Sequence, residues 1–100
     1  MKTTFSVHGA RIRLTDERWA HIVEEHGEIS EMMDAVLQTV NKPEFIFAGN
    51  NGELLAVREV KAGKYLVVPY REQDKDGFII TAFVTKRLHT LQRRVKLWPN

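Results

Sequence analysis

Pro43 divides the chain into two parts whose apolar residues follow different periodicities. Before it, residues 29–40 carry apolar side chains at helical spacing, which is typical of one face of an amphipathic helix. After it, the chain from Glu44 to about Thr85 has strand character, interrupted by three turn-forming segments at 49–52, 61–64 and 74–77. Because proline cannot continue a helix, the helical part ends here. Three hairpin turns in series indicate an antiparallel meander.

Two helices are predicted before Pro43. The first follows Thr15, a favourable N-cap residue, and runs to about His26, with Gly27 as a left-handed C-cap. The second is predicted at about 29–41. Residues 4–14 alternate in polarity and predict a short strand or hairpin ahead of the helices.

The predicted fold class is therefore α+β, with two N-terminal helices packed on a four-stranded antiparallel meander sheet. The fourth and most apolar strand is expected from Phe78 to Val84. A length of 100 residues fits one domain, 1–100, which includes a basic C-terminal tail at 86–100. A short helix after Lys86 is consistent with the spacing of the leucines there.

Composition narrows the class of protein. With no cysteine, the chain has no disulfide framework, no thiolate metal site and no cysteine nucleophile. No apolar run approaches the roughly 18–20 residues that a membrane helix needs. The N-terminus lacks the apolar stretch of a signal peptide. We therefore expect a cytoplasmic domain without membrane contact.

Charge is distributed unevenly along the chain. Residues 1–50 hold 5 Lys and Arg against 8 Asp and Glu, whereas residues 51–100 hold 10 against 5. From Lys86 onward there are five cations and no carboxylate. A basic block of this kind is typical of a surface that binds a polyanion, because neutralised phosphates release counterions. The alternative is a solvated tail.

Two residues stand out because their side chains are unusual for their positions. His26 lies on the apolar stripe of the first helix, where the alternative to a functional role is a histidine at the core boundary with satisfied hydrogen bonds. His21 has carboxylates one turn away on either side and is predicted to form exposed ion pairs. Arg58 is predicted in mid-strand among apolar neighbours, where it needs a carboxylate, a phosphate or water. A pair with Glu72, with Glu59 or with a helix carboxylate is the alternative to a phosphate.

The strands and the tail supply further polar groups that suit RNA. Tyr65, Tyr70 and Arg71 could stack on or clasp a nucleotide, or could simply fill the sheet. The remaining candidates for contact with RNA are cations: Lys64, Arg87, Arg93 and Arg94. No phosphate loop, dinucleotide fingerprint or zinc spacing is present. A histidine, hydroxyls and cations without a metal site suit metal-free cleavage of an RNA phosphodiester, so no metal or other cofactor is expected.

The chain also resembles a known group of proteins. The segments that carry the resemblance are Ile12–Ile22 with His26-Gly27-Glu28, then Lys42-Pro43-Glu44, the strand of Arg58, Tyr65–Val68 and Ile79–Phe83. Together they are similar to the small phage- and bacterium-associated nuclease-like domains of the barnase–EndoU–colicin–RelE superfamily. The resemblance covers about residues 12–87.

This resemblance implies an active site made of His26, Arg58, and Thr81, Thr85 and Lys86 at the end of the last strand. The chain departs from the family pattern at Gly27, where proline is frequent, and at Thr85, where proline or serine is common.

The expected function is that of a metal-independent ribonuclease, the toxin of a toxin–antitoxin pair or of a mobile element. Such a toxin implies RNA as substrate and a small acidic antitoxin that covers the basic site. The alternative is a non-catalytic module on the same fold that binds nucleic acid or protein.

Overall fold

A computed structural model describes residues 1–100 and contains eight strands, three α-helices and one 3₁₀ turn. The strands are β1 (Lys2–Phe5), β2 (Arg11–Leu14), β3 (Phe45–Ala48), β4 (Leu54–Lys61), β5 (Lys64–Gln73), β6 (Asp76–Ile79), β7 (Phe83–Thr85) and β8 (Lys96–Trp98). The helices are α1 (Asp16–Glu25), α2 (Met33–Asn41) and α3 (Leu88–Leu91), and the 3₁₀ turn spans Gly27–Ile29.

All eight strands belong to one mixed sheet of order β1-β2-β6-β5-β4-β3-β8, with β7 also paired to β5. The consecutive hairpins from β3 to β6 are antiparallel. The predicted architecture of two helices on a four-stranded antiparallel meander is nevertheless wrong. The N-terminal hairpin adds β1 and β2, the latter parallel to β6, and the C-terminal tail adds β8 beside β3.

The predicted last strand is broken in the middle. Tyr70 lies opposite Ile79, whereas Val67 lies opposite Phe83, so three residue steps on β5 face four on the other strand. One extra residue of this kind is a β-bulge, and it reverses the alternation of side chains beyond it. Ile79 and Ala82 therefore share the helix-side cluster, while Phe83 lies in the opposite one. Without the bulge, Ile79 and Phe83 would lie on the same face, as residues four apart in a regular strand do.

The helices begin and end close to the predicted residues, with two differences. The Thr15 hydroxyl accepts a hydrogen bond from the Arg18 N–H at 3.1 Å, as an N-cap does. Gly27 does not adopt a left-handed conformation; it opens the 3₁₀ turn instead. That turn takes up the residues where the second helix was predicted to start, so α2 begins only at Met33. None of the helices is long and apolar enough to cross a membrane.

Both faces of the sheet carry a hydrophobic cluster. The larger one, of 13 buried residues, packs α1 and α2 against the sheet through side chains such as Ile22, Val36 and Leu66. On the opposite face, a second cluster of 5 buried residues includes Leu91 of α3. The basic tail is thus folded onto the sheet by its leucines and by β8.

Leu66 gives a direct test of the larger cluster. Its side chain is fully buried near the start of β5, between β4 and β7. Leu66→Ala should therefore lower the free energy of unfolding by about 2–3 kcal/mol through lost burial and a cavity. Leu97→Ala is the matched control, because Leu97 is 42 % exposed on the edge strand β8 and should change stability by less than about 0.5 kcal/mol. Urea melts followed by circular dichroism measure both. Equal losses in the two variants would contradict this packing.

Candidate functional site

Three lysines meet in one cleft of about 420 Å³ at the end of the β4–β5 hairpin. We call it the lysine cleft. Its walls are apolar and come from Met32, Val60 and Val84, and its polar groups are Glu28, Lys61, Lys64, Thr85 and Lys86. The sequence builds it from the tight turn at Ala62-Gly63, which returns the chain with a positive φ at Gly63, and from the end of β7.

The electrostatics of the lysine cleft are dominated by its ammonium groups. Lys61, Lys64 and Lys86 form no salt bridge with any carboxylate. Glu28 is the only acidic residue among the eight that line the cleft. Three cations against one carboxylate, on walls of low polarity, favour an anionic ligand that also presents an apolar surface.

His26 lies beside the cleft. It follows the last residue of α1, and its ring is tilted against Phe83 with the centroids 6.0 Å apart. Nδ1 of His26 is 3.7 Å from Oε2 of Glu28, which lines the cleft. The side chain of His26 is 34 % exposed, so the imidazole is held by its neighbours and still reaches solvent. This is a position from which a histidine can exchange a proton with a bound ligand.

Arg58 lies on the same face of the sheet but in a neighbouring hollow. Its Nη1 donates a hydrogen bond of 3.1 Å to the carbonyl oxygen of Lys42. Lys42 is the C-cap residue of α2, where the helix dipole favours a nearby cation. The predicted alternative of a carboxylate partner is wrong, because Arg58 forms no salt bridge. Met32 and Val60 line both this hollow and the lysine cleft, so they separate Arg58 from the lysines.

The two threonines of the predicted site occupy different surroundings. Thr85 lines the lysine cleft, and its Oγ1 accepts a hydrogen bond from the Arg87 N–H at 3.1 Å. Thr81 lies in the break between β6 and β7, is half-buried, and makes no side-chain hydrogen bond. The structure therefore brings Lys64, Thr85 and Lys86 together and does not bring Thr81 into the cleft.

Tyr65 and Arg71 project from the opposite face of the sheet. Tyr65 packs against the second cluster. Partial burial and the charges of Glu59 and Glu44 raise the pKa of its phenol above the ordinary value, so it stays a hydrogen-bond donor near neutral pH. Arg71 donates from Nη1 to the carbonyl oxygen of Asn51 at 2.6 Å. Tyr70, which was also considered for stacking, is fully buried.

The arginines of the tail divide into one structural residue and two exposed ones. Arg94 donates from Nη1 to the carbonyl oxygen of Ala48 at 3.2 Å and to Oδ1 of Asn50 at 2.8 Å, which ties the tail to the end of β3. Arg87 and Arg93 are exposed and form no salt bridge.

Sequence reasoning did not single out Lys61 or Glu28. Lys61 and Lys64 flank the predicted turn and lie opposite each other across the hairpin. That spacing in the sequence could have indicated that Lys61 accompanies Lys64. Glu28 had no signal, because the 3₁₀ turn that presents it was predicted as helix end. No group of three or more His, Cys, Asp or Glu side chains is placed to hold a metal ion.

No protein-family model, no curated protein and no solved structure matches the chain. The resemblance to the nuclease-like superfamily therefore stays a prediction from the sequence motifs.

Proposed function

We propose that the chain is a metal-independent endoribonuclease that binds an RNA phosphodiester in the lysine cleft. The observation that supports this most is the juxtaposition of the unpaired ammonium groups of Lys61, Lys64 and Lys86 with the adjacent imidazole of His26. Cations that bind phosphate and a group that transfers protons at neutral pH are the two requirements of this reaction.

In the proposed reaction the RNA 2′-oxygen attacks the adjacent phosphorus, and the bond from phosphorus to the 5′-oxygen of the next nucleotide breaks. A base takes the proton of the 2′-hydroxyl, and an acid gives a proton to the leaving 5′-oxygen. The products are a 2′,3′-cyclic phosphate and a 5′-hydroxyl, and no water is consumed. His26 is assigned one of these proton transfers, because imidazole can both accept and donate a proton near pH 7.

The lysines have a different task in this proposal. Negative charge grows on the phosphoryl oxygens as the pentavalent species forms, and ammonium groups in a cleft of low polarity stabilise that charge. Arg58 is assigned to bind a neighbouring phosphate of the RNA backbone, since its Nη2 makes no hydrogen bond within the protein. The apolar walls formed by Met32, Val60 and Val84 then contact a sugar or a base.

A toxin role and a cytoplasmic location belong to the same proposal, because cellular RNA is the substrate. An acidic partner protein would inhibit the enzyme by occupying the lysine cleft, where its carboxylates would replace the phosphates.

Cleavage itself is tested with the purified chain, a labelled single-stranded RNA and an excess of EDTA. The expected result is fragments that end in a 2′,3′-cyclic phosphate, formed at the same rate with and without EDTA. Translating ribosomes provide a second substrate. Binding without fragments on both substrates would favour the non-catalytic module instead.

Neutralising two of the lysines tests the location of the site. The slope of log affinity against log salt is negative. Lys64→Gln with Lys86→Gln should decrease its magnitude by about 1.4, because two phosphate contacts on a single strand are lost. The matched control is Lys2→Gln with Lys75→Gln, which removes the same charge from exposed positions outside the cleft. Fluorescence anisotropy with an uncleavable 2′-O-methyl RNA gives the slopes. The same decrease in both double variants would mean that the cleft is not the site.

A further inference from the structure

The sheet has an open face on the side away from α1 and α2. We define the open face by the outward side chains of β1, β2, β6 and the end of β5, which are Thr3, Phe5, Arg11, Arg13, Asp76, Phe78, Arg71 and Gln73. The second hydrophobic cluster and α3 cover the other half of this side of the sheet, around Leu55, Val57 and Val67. We propose that the open face binds unpaired nucleotides of RNA, with bases stacked on Phe78 and Phe5.

The strand register places Phe78 between two arginines. Phe78 is opposite Arg13 on β2 and opposite Arg71 on β5, so the three side chains form a row across adjacent strands. Phe78 is 45 % exposed, although a phenylalanine in a sheet normally finds a covering layer. An exposed aromatic ring with a planar guanidinium on either side offers a base one stacking surface and its phosphates two cations.

A second exposed ring lies in the next row. Phe5, which is 54 % exposed, is opposite Arg11 on β2. Two strand spacings and two residues along the strands separate the two rings, which corresponds to roughly 12 Å. At this separation the rings do not stack on each other and can each hold a different base.

The open face presents guanidinium groups that the phosphates of RNA can contact. Among the outward side chains of the open face there are three guanidiniums and one carboxylate, Asp76. That carboxylate is already paired with Arg13, at 3.5 Å. Glu72 and Asp74 also line the hollow beside Phe78, so the arginines act as local phosphate contacts and not through a net positive charge of the hollow.

The surroundings of Phe78 favour a base over a protein helix. The hollow beside it, of about 550 Å³, is lined by nine residues, of which Phe78 is the only hydrophobic one. A docked helix needs a continuous apolar groove for residues on successive turns. A nucleobase needs one flat apolar surface surrounded by polar groups for its edges, and this hollow provides that combination.

The open face is separate from the lysine cleft and extends the proposed function. Lys64 begins β5 and Arg71 lies near its end, which corresponds to roughly 23 Å along the strand, and the two side chains point to opposite faces. Binding at the open face therefore does not require cleavage in the cleft, and either can fail without the other.

The experiment uses a 2′-O-methyl single-stranded oligonucleotide, which cannot be cleaved by attack of a 2′-hydroxyl, and a duplex of the same sequence. Phe78→Ala should weaken binding of the single strand about 10-fold and leave duplex binding unchanged, because only unpaired bases can stack on the ring. Phe78→Trp should retain the affinity of the parent protein. Leu97→Ala removes a side chain of similar exposure outside the open face and should have no effect.

Circular dichroism establishes that each variant is folded. If Phe78→Ala does not fold, the affinity of Phe78→Trp for the single strand decides the test. The proposal is overturned by unchanged binding in Phe78→Ala, by an equal loss in Leu97→Ala, by an equal loss for the duplex, or by an affinity of Phe78→Trp as low as that of the alanine variant. Failure of the parent protein to bind the single strand overturns it as well. The two proposals are tested separately. Variants of the lysine cleft should lose cleavage, while their binding of the uncleavable single strand should still depend on Phe78.

Discussion

His26→Ala is expected to reduce RNA cleavage by about 10²–10⁴-fold, which is the usual effect of removing a general acid or base. The imidazole of His26 is the one beside the lysine cleft, 3.7 Å from the Glu28 carboxylate that lines it. No other histidine forms an ion pair with a residue that lines the cleft, since His8 pairs with Glu72 and His21 with Glu25. Single-turnover cleavage of a labelled RNA measures the effect, because it reports the chemical step without product release.

His21→Ala is the matched control for this experiment. His21 also lies on α1, but its Nε2 is 2.7 Å from Oε1 of Glu25 on the exposed side of the helix, and its loss should leave the rate unchanged. Equal rates for the parent protein and a folded His26→Ala variant would remove this histidine from the mechanism. A loss of RNA affinity that accounts for the whole rate effect would assign His26 to binding.

Elements encoded by short stretches of sequence were predicted well. The start of α1 depends on Thr15 and its immediate neighbours, and the β3–β4 and β4–β5 hairpins depend on turns within a few residues of the strands. In each case the interacting groups are close in sequence, so residue type and spacing contain most of the information.

Elements that depend on distant partners were not predicted. The parallel pairing of β2 with β6 joins residues such as Ile12 and Gly77, which are far apart in sequence. The partner of β8 is equally remote, and a segment of three residues has little pattern of its own. The bulge between β6 and β7 is invisible in a run of apolar residues, because alternation cannot be read where both faces are apolar.

The same distinction applies to the candidate site. Lys64 and Thr85 lie at the ends of strands that pair with each other, and Lys86 follows Thr85, so their proximity follows from the order of the strands. It was nevertheless not predicted, because Lys64 was identified as a cation and Thr85 and Lys86 from the resemblance. Side-chain direction along β4 and β5 was also predictable, and it places Arg58 and Arg71 on opposite faces. The bond from Arg58 to the Lys42 carbonyl required the position of α2 over the sheet, which depends on the packing of the whole chain.

Gly77→Ala is expected to be the most destabilising single substitution considered for this fold, with a loss of about 4 kcal/mol or more in the free energy of unfolding. Gly77 is buried in β6, between β5 and β2. A Cβ at this position would overlap the carbonyl oxygen of Arg71 and would come within 2.9 Å of Cδ1 of Ile12. A backbone oxygen in the middle of a sheet cannot rotate away, so the strands themselves must separate.

Gly27→Ala provides the comparison that isolates this steric effect. A Cβ at Gly27 would meet no atom within 4 Å, and the residue does not have a positive φ, so alanine there should be neutral or stabilise by up to about 1 kcal/mol. Urea melts of both variants give the free energies, and hydrogen exchange at β2 and β6 locates the damage. We expect Gly77→Ala to lose protection first at the parallel β2–β6 pair, because that pair is the only link between the N-terminal hairpin and the meander within the sheet. Equal stabilities for the two variants would mean that Gly77 does not lie against the Arg71 carbonyl, and the pairing of β6 with β5 would then be wrong.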